Sequence, residues 1–551
     1  MKTPSLRTIF FQLFVFILIF PQISLGYTKR ILKNESVRGR RNLIIDESID
    51  LAQCDDIAII GAGIAGTYAA WRLRHQNKRI SVYEYSDRVG GRMFTVKFPD
   101  IPDINVELGG MRYYRAEHAL LHDTIQQLGL PIIRFELGSG PSPDTTVYVR
   151  GVHMRYDELG GYKTPYRLQP NERKPTNQLT WEVFRNYTDV LTTNVPEADK
   201  KYFVRDRSGV LMYKQSVESL YHKYLSPEAQ KYIRETSAFT TFLTDDSASL
   251  AVQTEPPSSE SEDVLTVATG FSSIPNELLR RFLLDGQRHS IKYDHDLKAI
   301  RKRQDGYYNL FFEPTFSNSR NTRSKSIIKK CAKKVILATN RLSLEQLDWQ
   351  GLYQPHIREY ITKAVKDMPA LKLYYSYESP WWRNSPVYSD YIISDTPFRQ
   401  IYDFGTSTLN PPKSVLQATY TDTDISYWEE LFNRANGNET TGDVRNEIEL
   451  DQVTRKYLSE IYQIPINTIP RPTNAAWIVW KNYPYGGAWQ TWRPGYILPI
   501  VERAMTKPSV SDDVFVVSNA FNVRSLSIWS NGALESVELA MPYFGLRRIE
   551  K

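Results

Sequence analysis

Cysteine is almost missing from this chain: Cys54 and Cys331 are the only two among 551 residues. At most one disulfide can therefore form within a chain. Histidine is scarce too, at eight residues, and no grouping of them stands out as a general base. Beyond one apolar run at the N-terminus, there is no stretch of about 20 apolar residues to span a bilayer. Neither sign of charge dominates. Lys and Arg total 69 against 62 Asp and Glu, a formal net charge of +7. That is mildly basic, and no nucleic-acid partner is expected. The densest basic stretch, 320–334, is interrupted by Ser, Thr and Asn and reads as a solvated loop rather than a polyanion site. No internal repeat is found, and no metal ligands are assigned.

What is present is length, and 551 residues exceed a single hydrophobic core, so at least two domains are expected. Hydrophobic residues at 41% and charged residues at 24% are ordinary for a globular chain. Thirty-five Tyr and eleven Trp suit a site walled by aromatic rings, although most such rings serve as core. Lys2 and Arg7, an apolar run over 9–20, then Ser24 and Gly26 read as a secretory signal peptide over 1–26. An uncleaved signal anchor is the rival reading. Secretion implies an extracellular protein with no membrane attachment after cleavage. It also makes Asn34, Asn186 and Asn438, each in Asn-X-Ser/Thr, candidate glycosylation acceptors. Residues 27–54 are polar and irregular and read as an N-terminal arm.

The strongest motif follows. Residues 57–60, Ile-Ala-Ile-Ile, form a short β-branched run apolar on both faces, as a buried parallel strand is. GAGIAG comes next, then a helical pattern with Ala65, Ala69 and Leu73 on one face, then a second strand over 80–84. Gly61 permits the tight turn, Gly63 lets backbone approach a pyrophosphate, and Gly66 allows close helix–strand packing. The helix N-terminus favours the anion. Glu84 ends the second strand, where a carboxylate accepts from ribose hydroxyls and repels a 2′-phosphate. NAD and FAD share this fingerprint. The second glycine turn at Gly90-Gly91-Arg92 is superfluous for NAD and points to FAD.

Strands are also expected over 291–300, 307–312, 335–339, 371–377 and 514–517, with a helix beginning near Gly532. Helical periodicity marks 181–190 and 217–232. Residues 254–263 read as a linker. The fold class is α/β plus α+β: a discontinuous Rossmann-like FAD-binding domain with an inserted substrate-binding domain and a helical subdomain. The first comprises 55–130, 262–345 and 488–551, and the second 131–261 and 346–487. Cys54 and Cys331 each stand just before a buried strand. If those strands are parallel neighbours, the thiols meet and form a disulfide.

EYSDRVGGR at 84–92 resembles the double-glycine motif of the flavin amine oxidases. The resemblance continues through ELGGMRYY (107–114), TVATGFSSIPNELL (266–279), KKVILATN (333–340), LKLYYSYESPWW (371–382), PYGGAWQTWRPG (484–495) and NGALESVELA (531–540). In detail the chain looks like the secreted L-amino-acid oxidases of mollusc albumen gland, mucus and ink. This implies non-covalent FAD held by the fingerprint with Ile64, Ala65 and Tyr85, by Gly91 and Arg92, by the Gly109-Gly110-Met111-Arg112 turn, and by Leu297 at adenine. It implies Arg112 as the carboxylate-binding residue, since a guanidinium fork suits that group. It implies Lys372 as the catalytic lysine that holds a water against the flavin, with Trp489 and Trp529 beside the ring. Ala488 replaces the cysteine that bonds flavin covalently in some relatives. The implied partners are an amino acid, with basic side chains favoured, and O2. The implied products are a 2-oxo acid, ammonia and hydrogen peroxide, the last an antimicrobial agent. A homo-oligomer remains open.

The last motif departs from the family. Asn519 and Asn531 replace two carboxylates, and the loop between them is about two residues long in excess. A silent flavin-binding secreted glycoprotein therefore remains open, and an amine or polyamine oxidase stands as a separate alternative.

Overall fold

Ile57, Ala58, Ile59 and Ile60 are buried on both faces of the strand Asp55–Ile60 because parallel strands flank it on both sides. Ile80–Tyr83 lies on one side and Ile328–Leu337 on the other. We describe a computed structural model covering residues 51–138, 140–186, 188–189, 204–240, 243–250, 263–315, 326–436, 441–442, 448–522 and 529–550. The signal sequence, Asn34, Asn438, residues 254–262 and most of the N-terminal arm fall outside the described residues. Asn186 is the last residue of the helix Thr176–Asn186.

Three distant stretches build one seven-stranded sheet. Its spine runs His289–Lys292, Ile80–Tyr83, Asp55–Ile60, Ile328–Leu337. The long strand Ile328–Leu337 then divides its partners: its first half pairs antiparallel with Tyr308–Pro314, and Val335–Leu337 pairs parallel with Val514–Val516. The fingerprint helix, Ile64–Leu73, and the final helix, Ser530–Ala540, pack on this sheet through Ala69, Leu73, Val537 and Ala540. Fully burying one Ile or Leu side chain contributes about 1.5–3 kcal/mol, so this shared core holds the three stretches together.

A second, eight-stranded sheet is mainly antiparallel. At its centre lie Asn474–Trp480, Ala370–Tyr377, Ser414–Thr421 and Gln400–Thr406. One face, with Leu371, Leu373 and Tyr375, packs against the helices Ile425–Asn436 and Ile448–Tyr462. The opposite face presents Lys372 and Tyr374 to the backbone of Glu107. A two-stranded ribbon, Val365–Met368 with Trp489–Trp492, stands apart from both sheets. The mixture of a parallel sheet from separated segments and an antiparallel sheet is the expected α/β plus α+β arrangement.

Three local expectations are corrected. The strand expected over 291–300 is two strands, His289–Lys292 and His295–Lys302. Asp294 between them has φ 57°, a conformation that ends a strand. The basic stretch 320–334 is not wholly a loop, since Ile328–Leu337 is a strand in which Ala332 and Val335 are buried while Lys333 is exposed and Lys329, Lys330 and Lys334 are half-buried. The helical pattern over 217–232 is interrupted, giving Val217–Tyr224 and Pro227–Thr236. Ser226 caps the second helix by accepting from Ala229 N, with Pro227 at its first position.

Cys54 and Cys331 are bonded, with Cα atoms 4.7 Å apart. The parallel register that sets Asp55 opposite Ala332 brings them together. Among the described residues no helix is long and apolar enough to cross a membrane.

Candidate active site

The fingerprint turn opens into a cleft. Gly61 has φ +107°, and a Cβ there would stand 2.5 Å from Ala338 O. A Cβ at Gly66 would stand 1.9 Å from Gly61 O, so the helix presses directly on the turn. At Gly63, by contrast, a Cβ would meet nothing within 4 Å. The space before the helix N-terminus is open, and its N–H groups and dipole suit a diphosphate. Glu84 is fixed beside it: Oε2 accepts from Ala62 N at 2.6 Å, and Oε1 from Ser86 N at 2.9 Å and Ser86 Oγ at 2.8 Å. The same cleft is lined by Ile64, Ala65, Tyr85, Gly91, Arg92, Gly110, Leu297, Ala488, Asn519 and Trp529. Leu297 sits at a β-bulge in its strand pairing, where the ladder is interrupted. Tyr85 meets Tyr483 edge-on at 5.4 Å. The residues present therefore fit a flavin dinucleotide, with diphosphate at Gly63 and the adenosine beside Glu84.

Gly66, Gly109, Met111 and Arg112 do not line the cleft. Gly109 is wedged, since a Cβ there would lie 1.9 Å from Arg92 O. Met111 and Arg112 continue past the turn into an aromatic cluster. Arg112 is buried, its guanidinium 5.5 Å from the centre of the Phe135 ring. Burial opposes its charge, but the hydroxyls of Tyr402, Tyr114 and Tyr420 outweigh that and hold its pKa above the usual value. Three small apolar clusters converge on Tyr420. From there the rings continue through Phe239, 5.1 Å away, to Trp489, another 5.4 Å on. Trp529 joins the cleft to this cluster through Tyr114, at 5.2 Å.

Lys372 lies behind the glycine turn. Its Nζ donates to Glu107 O at 3.0 Å and Gly109 O at 2.6 Å, lies 3.5 Å from Met111 Sδ, and sits 4.6 Å from the Tyr420 ring centre. Burial pushes its pKa down, Arg112 adds to the fall, and Glu107 resists it. Glu107 itself is buried, which pushes its carboxyl up against the opposing hydrogen bonds from Phe271 N and Thr95 Oγ1.

Two departures from the motif pattern now have positions. Asn519 Oδ1 accepts from Arg92 Nη2 at 2.7 Å inside the cleft. Asn531 is elsewhere: its Oδ1 accepts from Leu121 N at 2.9 Å, at the start of the helix Ala119–Gln127. Residues 523–528 of the intervening loop lie outside the described residues.

Sequence reasoning missed His118. It is buried, its ring 5.1 Å from Trp529, and its Nδ1 accepts from Tyr114 N at 3.0 Å. Burial pushes its pKa down to about 4, so the neutral ring carries its proton on Nε2. A lone histidine before a helix gave no local signal. Gln490 was also missed, and it accepts from Arg92 Nη1 at 3.0 Å.

Comparison with known proteins agrees with this geometry. Residues 64–536 match the family described as flavin containing amine oxidoreductase. The chain is 31% identical to aplysianin-A of Aplysia kurodai over 92% of this chain and 93% of that protein. It is 29% identical to achacin of Lissachatina fulica over 88% of this chain and 92% of that protein. Cyclohexylamine oxidase from Brevibacterium oxydans shares its fold at TM-score 0.62 and 15% identity, covering 89% of this chain and 98% of that one. Wild-type putrescine oxidase bound to putrescine does so at TM-score 0.59 and 15% identity, covering 89% and 99%. A dinucleotide cleft, a family match across most of the chain and relatives aligned nearly end to end lead to one conclusion: the chain belongs to the flavin-containing amine oxidoreductases, and a flavin is its cofactor.

Proposed function

We propose that this protein is a secreted, FAD-dependent L-amino-acid oxidase. It converts an L-amino acid, water and O2 into a 2-oxo acid, ammonia and hydrogen peroxide, and basic amino acids are among its substrates. The observation that carries this reading is Arg112, a cation sealed among tyrosine hydroxyls one ring away from the cofactor cleft. Amines and polyamines have no carboxylate to occupy it. Bound FAD would supply the redox chemistry between the substrate Cα–H and O2. The chain supplies position. Arg112 orients the substrate carboxylate, Trp489 and Trp529 shape the space for its side chain and exclude water, and Lys372 holds a water near the turn at Gly109.

FAD rather than NAD is supported by the second glycine turn, since Gly90 and Gly91 line the same cleft as Gly63. Glu84 would accept from the ribose, and Leu297 would meet the adenine. Ala488 lines the cleft and has no group to bond the flavin, so the cofactor is releasable. The flavin belongs to the domain made of 55–130, 262–345 and 488–551, and substrate selection to 131–261 and 346–487. An N-terminal leader and a disulfide support secretion, where peroxide makes the enzyme antimicrobial.

The test is an anaerobic spectral titration. Purified protein is expected to show oxidised-flavin absorbance that bleaches on adding an L-amino acid, and acid precipitation should release all flavin. Arg112→Ala should raise KM for amino acids about a hundredfold, the loss of a bidentate ionic contact worth roughly 3 kcal/mol. Colourless protein would overturn the oxidase. Yellow protein bleached by polyamines but inert to amino acids would overturn the substrate assignment.

A further inference from the structure

Arg92 donates to three oxygens that carry no formal charge. Its Nη1 reaches Ala488 O at 3.1 Å and Gln490 Oε1 at 3.0 Å, and its Nη2 reaches Asn519 Oδ1 at 2.7 Å. A carboxylate comes one step later. Asp367 Oδ1 accepts from Gln490 Nε2 at 3.2 Å, and Asp367 Oδ2 accepts from Arg341 Nε at 2.7 Å. Asp367 and Gln490 stand directly opposite each other in the two-stranded ribbon. Arg341 is fixed in turn by Glu345, at 2.7 Å, and Ile361 O, at 3.0 Å. It follows Asn340, which lines the cleft.

The chemistry of these groups forces the direction of the Gln490 amide. A guanidinium only donates, so it must meet the amide oxygen, and a carboxylate only accepts, so it must meet the NH2. Turning the amide over would make both contacts repulsive. Asp367, held by Arg341, therefore acts with Gly486 O, 3.5 Å from the same Nε2, and with Arg92 itself to fix which end of Gln490 meets Arg92. The consequence concerns charge. A carboxylate directly on Arg92 would neutralise it, whereas dipoles hold it in place and leave its charge to act on an anion. Arg92 lines the same cleft as Gly63, and the backbone before it is close to that turn, since a Cβ on Gly91 would lie 3.4 Å from the Cα of Gly63.

We infer that Asp367 is a positioning residue for cofactor binding, acting through Gln490 to hold Arg92 in the cleft. Its own carboxylate, one side chain removed, favours the Arg92 cation without bonding it directly. The inference rests on the FAD reading given above. It assigns a task to the ribbon and to Asn519, whose amide keeps a second carboxylate off Arg92.

The test uses apoprotein titrated with FAD at several salt concentrations, with the apoprotein melting temperature measured alongside. Asp367→Asn should raise Kd about tenfold, the loss of one charge-assisted contact, and should also lower the melting temperature by breaking the ion pair with Arg341. The double variant Asp367→Asn/Gln490→Glu keeps net charge and volume but moves the carboxylate onto Arg92. It should bind FAD at least as weakly as the single variant and show a shallower salt dependence. Asp367→Glu should restore most of the affinity. Wild-type Kd in both Asn-containing variants would overturn the inference and leave the FAD reading standing, as would full recovery in the double variant. A melting temperature that falls in step with Kd and is not rescued by Asp367→Glu would show a structural role and overturn it too. Failure of the wild-type apoprotein to bind FAD would instead overturn the cofactor reading.

Discussion

Glu107 and Lys372 are both buried behind the Gly109–Gly110 turn, and burial disfavours the charged form of both. The Glu107 carboxylate is the force that keeps a proton on Lys372. Glu107→Gln removes it, so Lys372 should lose its proton at lower pH. The limb of the pH–rate profile that reports Lys372, measured by stopped-flow flavin reoxidation, should move about one unit toward acid. An unmoved limb would sink this account of the pair. At this scale the sequence was partly legible. The places of Gly61, Gly63 and Glu84 could be read because they lie in one continuous strand–turn–helix–strand unit over 55–84. Glu107 and His118 could not, because their properties come from Phe271, Thr95 and Trp529, far away in sequence.

Two helices meet at their N-termini beside the cleft. The helix Ala119–Gln127 is preceded by His118, and the helix Ser530–Ala540 by Trp529. The His118 ring is turned to Tyr114 N and does not cap its own helix, so Asn531 of the other helix satisfies Leu121 N instead. The motif pattern gave Asn531 only as the replacement of a carboxylate, and the packing of the two helices shows its partner. His118 has a folded pKa of about 4 against an ordinary 6.5. Between those values the unfolded chain binds more protons than the folded one. Its contribution is therefore fully present above about pH 6.5 and lost as pH falls through about 4, roughly 3 kcal/mol in all. Urea unfolding at pH 7 and pH 4 should show this loss, and His118→Gln should flatten it. An unchanged pH dependence in the variant would refute the assignment.

Across the molecule, the sheet that carries the cofactor cleft is assembled from strands beginning at Asp55 and ending at Val516. The parallel core was legible because buried strands such as 57–60 and 335–337 are apolar on both faces. Of the eight-stranded sheet the strand over 371–377 was legible, but its other strands and the ribbon were not, because Trp, Tyr and Thr serve strand, core and site alike. The Cys54–Cys331 bond staples this sheet across 277 residues. Replacing both with Ser should lower unfolding free energy by roughly 3–5 kcal/mol, since closing so long a loop restricts the unfolded chain. Denaturant titration against the wild type measures it, and no change in midpoint would show that native packing alone fixes the register.

The same separation sets a timetable for biosynthesis. The first strand gains one neighbour, Ile80–Tyr83, almost at once, but its other edge stays bare until Ile328–Leu337 has been made. At about 5–20 residues per second, that interval lasts roughly 15 seconds to a minute. Throughout it, an apolar strand edge and an unpaired Cys54 thiol are exposed to other chains. The order of the strands thus fixes how late that edge can be closed.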